Sequence, residues 1–245
     1  MQSPPSPFLS TSFDLAVRAG SPPLATTMLI RYQHIEDVDF RLTELWRTWE
    51  SWFVDIEETH TSYPILVDFR SLCSDHSWVS SAGVILDAAS LWVSSVEHSN
   101  DPDAQLCIRA GYLSLRWIGA NLGIPSDSNP APDDPVSITR EEFESACREM
   151  AAAGINLRPD REQAWRDFAG WLVNYDTVLL NLARFVEAPP VAWVSDRSPV
   201  RPNQVFSLRR VAETRLTRTS RSRDGERLAS GTFRFLQAIE NWILE

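Results

Sequence analysis

Two carboxylates stand where a helical chain would carry apolar side chains. Asp87 lies inside ILDAASL, and Asp176 falls in the apolar stripe of a later segment, about Pro159 to Val186. A buried carboxylate is costly unless hydrogen-bonded or paired, so each calls for a donor. Arg70 and Arg116 lie in otherwise apolar surroundings and are the candidate partners. Such a pairing serves either as a ligand or switch site or as an internal ion pair that fixes helix register, and structural pairs are a common source of perturbed acids. Asp87 is therefore expected to be largely buried and within reach of an arginine or a backbone donor.

His60 and His76 flank an SYP break, with Tyr63 between them. A metal or acid/base site would need a third group, and no HExxH-like spacing supplies one. The alternative is a pair of helix-end histidines bonded to backbone carbonyls. Ser71, Ser74 and Ser77 have no GxSxG context, so a nucleophile elbow is unsupported. Cys73 sits in a loop-like setting, yet no basic helix start or CxxC lowers its thiol pKa. No metal and no cofactor is expected, and no catalytic signature appears. Trp46, Trp49 and Trp52 could stack on a flat ligand, but an aromatic stripe at helical spacing is far more often core or interface.

The elements that would hold these groups are helical. The first helix reads from about Glu36 to Glu58, with the three tryptophans in an apolar arc of roughly 120° at helical pitch. Pro64 stops it, and Ile65 to Phe69 is either extended or a short helical turn. A second helix runs from about Ser77 to Val96, capped by Asp75 or Ser77 and apolar on nearly every face, which makes it the central buried helix. The third is punctuated by Asp101 as N-cap, Pro102 at the first position and Gly123 at the C-cap. After the loop Pro125 to Asp134, Thr139 and Glu142 form a capping box for a helix ending at Gly154. A long helix then spans about Pro159 to Val186, closed by Pro189 and Pro190. The tryptophan stripe is expected to pack against the second helix and against this long one near Phe168 to Leu182. The fold class is all-α, a bundle of about five to six helices: an arm or linker over residues 1–27, the domain over 28–198 and a basic appendage over 199–245. A terminal helix at about Gly231 to Leu244 closes the chain.

Composition narrows the function classes. Ten tryptophans against only nine glycines favour long helices over a many-stranded fold. The three cysteines (Cys73, Cys107, Cys147) form no CxxC, which argues against a disulfide framework or a zinc ribbon and for a reducing cytosol. No signal peptide is evident at the N-terminus. The longest apolar segment, Ala82 to Val93, is short of the about 20 residues that a spanning helix needs. Residues 1–196 hold 13 arginines against 28 acids, and residues 197–245 hold 10 against 5. The acidic body disfavours nucleic acid as a partner, while the arginine-rich tail could meet an anionic membrane surface or remain solvated.

Several blocks in order carry a resemblance. ARAGSPPLAT (Ala19 to Thr27) is similar to a junction that follows a last pore helix. ELWRTWESW, SYPILVDFRS (Ser62 to Ser71), the pair Ser77–Trp78 and ILDAASL (Ile85 to Leu91) are similar to the core of a soluble region. FAGWLVNYDTVLLNLARFVEAPPVAW (Phe168 to Trp193) is similar to its closing helix and Pro-Trp ending. Together, from about Ala19 to Ser198, they resemble the cytoplasmic C-terminal region of bacterial two-pore-domain potassium channel or ion-channel family membrane proteins. The chain departs from that family in having no pore helices and no TVGYG-like filter, so ion conduction is not carried over. The resemblance implies a non-enzymatic cytoplasmic accessory or regulatory domain, at the membrane's cytoplasmic face, that acts in assembly or gating by contact with a membrane protein or with copies of itself. The alternatives are a small-molecule-binding helical module around Asp87 and the tryptophan helix, and a hydrolase-type enzyme around His60 and Cys73.

Overall fold

The computed structural model describes residues 19–20, 22–34, 38–63, 67, 77–97 and 101–197. Within them the chain is all-helical: α1 (Ala25–Gln33), α2 (Val38–Ser62), α3 (Trp78–Ser95), α4 (Pro102–Asn121), α5 (Arg140–Ala152), α6 (Arg161–Leu172) and α7 (Asp176–Phe185). The described residues hold no strand, only one antiparallel bridge between Val96 and Leu157. Arg70, Cys73, His76 and the segment 199–245 lie outside the described residues.

The central position of α3 follows from its composition. Val79 through Ser95 are all buried, and α3 packs against α1, α2, α4, α6 and α7. A helix apolar on nearly every face must be enclosed nearly all round. Its N-cap is Ser77, whose side chain makes no capping bond. Elsewhere the caps match the sequence reading. The Asp101 carboxylate accepts from the amides of Asp103 and Ala104 at 3.0 and 3.1 Å, and Pro102 follows it. Gly123, at φ +74°, takes the left-handed turn that ends α4. Both arms of the Thr139–Glu142 capping box are present at the start of α5.

Three expectations need correction. First, α1 begins at Ala25, three residues inside the span expected to be an arm or linker, and Ala25 and Thr26 are buried along with Met28, Leu29 and Tyr32. The spacing 25, 28, 29, 32 is itself helical, but the Pro- and Ser-rich residues before it masked the signal. Second, the long helix from Pro159 to Val186 is two helices, parted at Val173–Tyr175. The Asn174 amide donates to the carbonyls of Gly170 and Trp171 at 2.9 and 3.3 Å and competes with the backbone for helical acceptors. Third, the tryptophan helix α2 finds its main partner in α4 and not in the Phe168–Leu182 region.

The reason for the third lies in Gly111 of α4. A Cβ there would stand 2.5 Å from Leu86 Cδ2 and 2.9 Å from Phe53 Cζ, so the bare backbone lets α2, α3 and α4 close on one another. Arg47 of α2 adds a fork onto Asp103 of α4, at 3.0 and 3.2 Å, on the exposed side. Trp46, Trp49 and Trp52 are all buried, and Trp49 meets Trp52 edge-on with ring centroids 4.7 Å apart. The indole N–H groups of Trp46 and Trp52 are buried without a hydrogen-bond partner.

The stripe is thus core. Trp49→Ala should lower stability by about 3–5 kcal/mol in a urea melt, as large-to-small core changes do. Trp117, 59% exposed on α4, provides the contrast. Its alanine variant should stay within about 0.5 kcal/mol of the parent.

Candidate functional site

One face of α3 is lined by small and polar side chains. At 100° per residue Ser80, Gly83, Asp87, Ser90 and Ser94 fall within about 80° of one another, a narrow stripe on a mostly apolar helix. The two elements laid against it are α7 and the closing segment 189–197. Gly83 is the notch that admits them. A Cβ there would lie 2.5 and 2.7 Å from the Val194 methyls and 3.0 Å from Leu179 Cδ2.

Asp87 lies one turn beyond that notch and is 1% exposed. Its Oδ1 accepts from the Tyr175 hydroxyl at 2.9 Å, and Ser90 Oγ stands 3.1 Å from the same hydroxyl. Tyr175 is placed by the α6–α7 break that the periodicity did not reveal. Burial pushes the Asp87 carboxyl up to about 8, opposed by the Tyr175 bond and reinforced by the nearby Asp176. Burial also raises the Tyr175 hydroxyl well above its usual range, so this phenol stays protonated.

Asp176, the first residue of α7, is buried too but solves the problem differently. It accepts from the Ser137 amide at 2.7 Å and from the Ser137 hydroxyl at 2.6 Å. Its carboxyl is raised by burial, against the lowering from those bonds. Arg197 completes the cluster. It forks onto Glu142, with Nη2 to Oε1 at 2.9 Å and Nη1 to Oε2 at 3.2 Å, and donates to the Ser137 carbonyl at 2.9 Å. Its Nε reaches Asp196 at 3.2 Å. The Arg197 fork, aided by the Thr139 donors, holds the Glu142 carboxyl down at about 2.

Of the two expected arginine partners, Arg70 lies outside the described residues and Arg116 is engaged elsewhere. Arg116 donates to the Asn174 carbonyl (3.0 Å), to Asn174 Oδ1 (3.1 Å) and to the Ser128 carbonyl (3.2 Å), not to either acid. Carbonyls left open at the end of α6 attract a guanidinium more directly than an acid on another helix does. Sequence reasoning missed a second arginine of the same kind. Arg158 reaches back to the C-terminal turn of α3, donating to the Val93 and Val96 carbonyls at 2.8 and 3.2 Å, and pairs with Asp167. Tyr175 and Arg197 were also missed. The stripe of small and polar residues on α3 was the available signal for a polar partner, though not for its identity.

The histidine reading on the described side is structural. His60 is buried, its Nδ1 donates to the Ile56 carbonyl at 2.9 Å, and its ring stacks on Trp78 at 4.8 Å. Burial lowers its pKa and favours the neutral ring. Tyr63, at the end of the same helix, is half exposed. Cys107 and Cys147 are free and buried, and burial raises both thiols. Among the described residues no three His, Cys, Asp or Glu side chains come together as a metal site. An open cleft of about 470 Å³ lies between α3, α4 and α6, lined by Val93, Gln105, Pro132, Arg158, Asp167 and Trp171. Its lining does not include Asp87 or the tryptophan stripe.

No protein-family model, no curated protein and no solved structure matches this chain. None of the described helices is long and apolar enough to cross a membrane.

The cluster predicts two pH dependences of opposite sign. Asp87 titrates near 8 when folded and near 3.8 when free, so its contribution is fully present below about 4 and lost as pH rises to about 8. Asp176 adds in the same direction. Urea melts should therefore weaken from pH 5 to pH 8, by at most about 1.4 kcal/mol per unit for one group. Asp87→Asn should flatten that slope. Glu142 works the other way, its contribution lost as pH falls from its ordinary range through about 2. Glu142→Gln should remove this acid limb and leave the other in place.

Proposed function

We propose that this chain is a non-catalytic accessory or regulatory domain that acts by docking, in assembly or gating, on a membrane protein of the channel class its sequence resembles. The observation that carries the reading is the outer face of α4. Leu106, Leu113 and Trp117 are 49%, 39% and 59% exposed, and their spacing sets them within about 40° of one another. The core-facing residues of α4, among them Cys107, Gly111, Leu115 and Ile118, lie on the opposite side. An aromatic anchor aligned with leucines on one exposed helix face is the composition that protein interfaces favour. The interior polar groups support the same reading, because His60, Asp87 and Asp176 are each engaged with backbone, tyrosine or serine.

A small-molecule-binding module is the second reading, favoured by the cleft at Arg158, Asp167 and Trp171. The two are separated by one experiment. The full chain should capture a membrane protein from solubilised membranes, and Trp117→Glu combined with Leu113→Glu should reduce that capture by at least about tenfold, since interface anchors carry about 2 kcal/mol or more each. Capture unaffected by these changes, alongside a ligand whose binding is lost on Trp171→Ala, would replace docking by the second reading. Turnover abolished by His60→Ala or Cys73→Ala would overturn both in favour of an enzyme.

A further inference from the structure

We propose that the segment 189–197 is a proton-operated strap, closed over α3 when Asp87 carries a proton and opened when Asp87 is ionised. This goes beyond the docking proposal and does not depend on it. The strap is a compact turn built on Val191, whose carbonyl accepts from the amides of Val194, Ser195 and Asp196 at 3.1, 3.0 and 3.2 Å. Ser195 Oγ accepts from the Val191 amide at 2.8 Å and donates to the Pro189 carbonyl. Within it Trp193 is held at φ +70°, a left-handed conformation that a bulky side chain adopts only under constraint.

Three contacts impose that constraint. Trp193 packs on Phe168 with centroids 6.1 Å apart, Val194 fills the notch at Gly83, and Arg197 forks onto Glu142. Gly83 and Asp87 are one turn apart on the same face of α3, which puts the Val194 contact one turn from the buried carboxyl. The groups around Asp87 do not favour its charge. Asp176 and Asp196 are like-charged, Tyr175 donates the hydrogen bond, and Arg197, the cation that faces it among the described residues, is already engaged with Glu142 and Asp196. An anion at Asp87 is relieved most simply by water, which needs the strap to lift. A strained turn opens at less cost than the core helices it packs against.

The test uses the full chain. Infrared difference spectra between the parent and Asp87→Asn at pH 7 should show a protonated-carboxyl stretch present only in the parent. Hydrogen exchange of the Val194, Ser195 and Asp196 amides, corrected for intrinsic rates, should accelerate from pH 5 to pH 8 by up to about tenfold per unit, as one-proton linkage requires. In Asp87→Asn the corrected rates should be nearly flat, and in the parent the strap amides should exchange faster at every pH than the amides of α2, which open only with global unfolding. A missing carboxyl band, or strap exchange in Asp87→Asn with the parent's pH dependence, would overturn the proposal. If Asp87→Asn does not fold, Tyr175→Phe decides. It removes the donor that favours the anion, so the pH at which acceleration levels off should move upward. An unchanged or lower value would sink the idea.

Discussion

A helix that is apolar over most of its surface cannot be left against solvent, and the run Trp78–Ser95 makes that demand on everything around it. Five other helices pack against α3, and its buried residues are unbroken from Val79 to Ser95. The chain orders its helices to surround this element, and the bare backbone at Gly83 and Gly111 lets neighbours approach it closely on two sides. Asp87 is the one carboxylate on that helix. Its bond to Tyr175 ties α3 to the residue just before α7, so the helix that demands enclosure also fixes where the enclosing wall begins.

Helix ends are handled by two different means. Where the cap is local, at Asp101, Thr139 and Asp160, a side chain accepts from amides two or three residues on, and nothing distant is required. Where the carbonyl end is buried, an arginine arrives from far along the chain: Arg158 at the end of α3 and Arg116 at the end of α6. With no lysine in the chain, all of this falls to guanidinium groups, whose several donors can meet more than one carbonyl at once. The same geometry lets Arg197 bind Glu142, Asp196 and the Ser137 carbonyl together.

Asp87 and Asp176 show how similar sequence contexts lead to different chemistry. Asp176 begins a helix and meets both donors of Ser137, which stabilise its charge. Asp87 is inside a helix, where the backbone amides are already used, and can take a bond only from another side chain. Burial therefore pushes its carboxyl up to about 8.

The sequence by itself determined the helical class, the central place of Trp78–Ser95, the local caps, the burial of the tryptophan stripe and the burial of Asp87. All of these follow from periodicity or from interactions within four residues, which a chain carries wherever it folds. It also held the spacing of α1 and the small, polar stripe on α3, though flanking prolines obscured the first and surrounding apolar residues the second. Only the tertiary structure decided that α2 pairs with α4, that the long apolar stripe breaks at Asn174, and that Tyr175 meets Asp87 while Arg116 does not. Those outcomes depend on which of several similar apolar faces fits a given notch, and on which donor, 58 or 88 residues away, reaches an open acceptor first. Periodicity cannot rank such contacts, because their energies are set by packing in three dimensions and not by spacing along the chain.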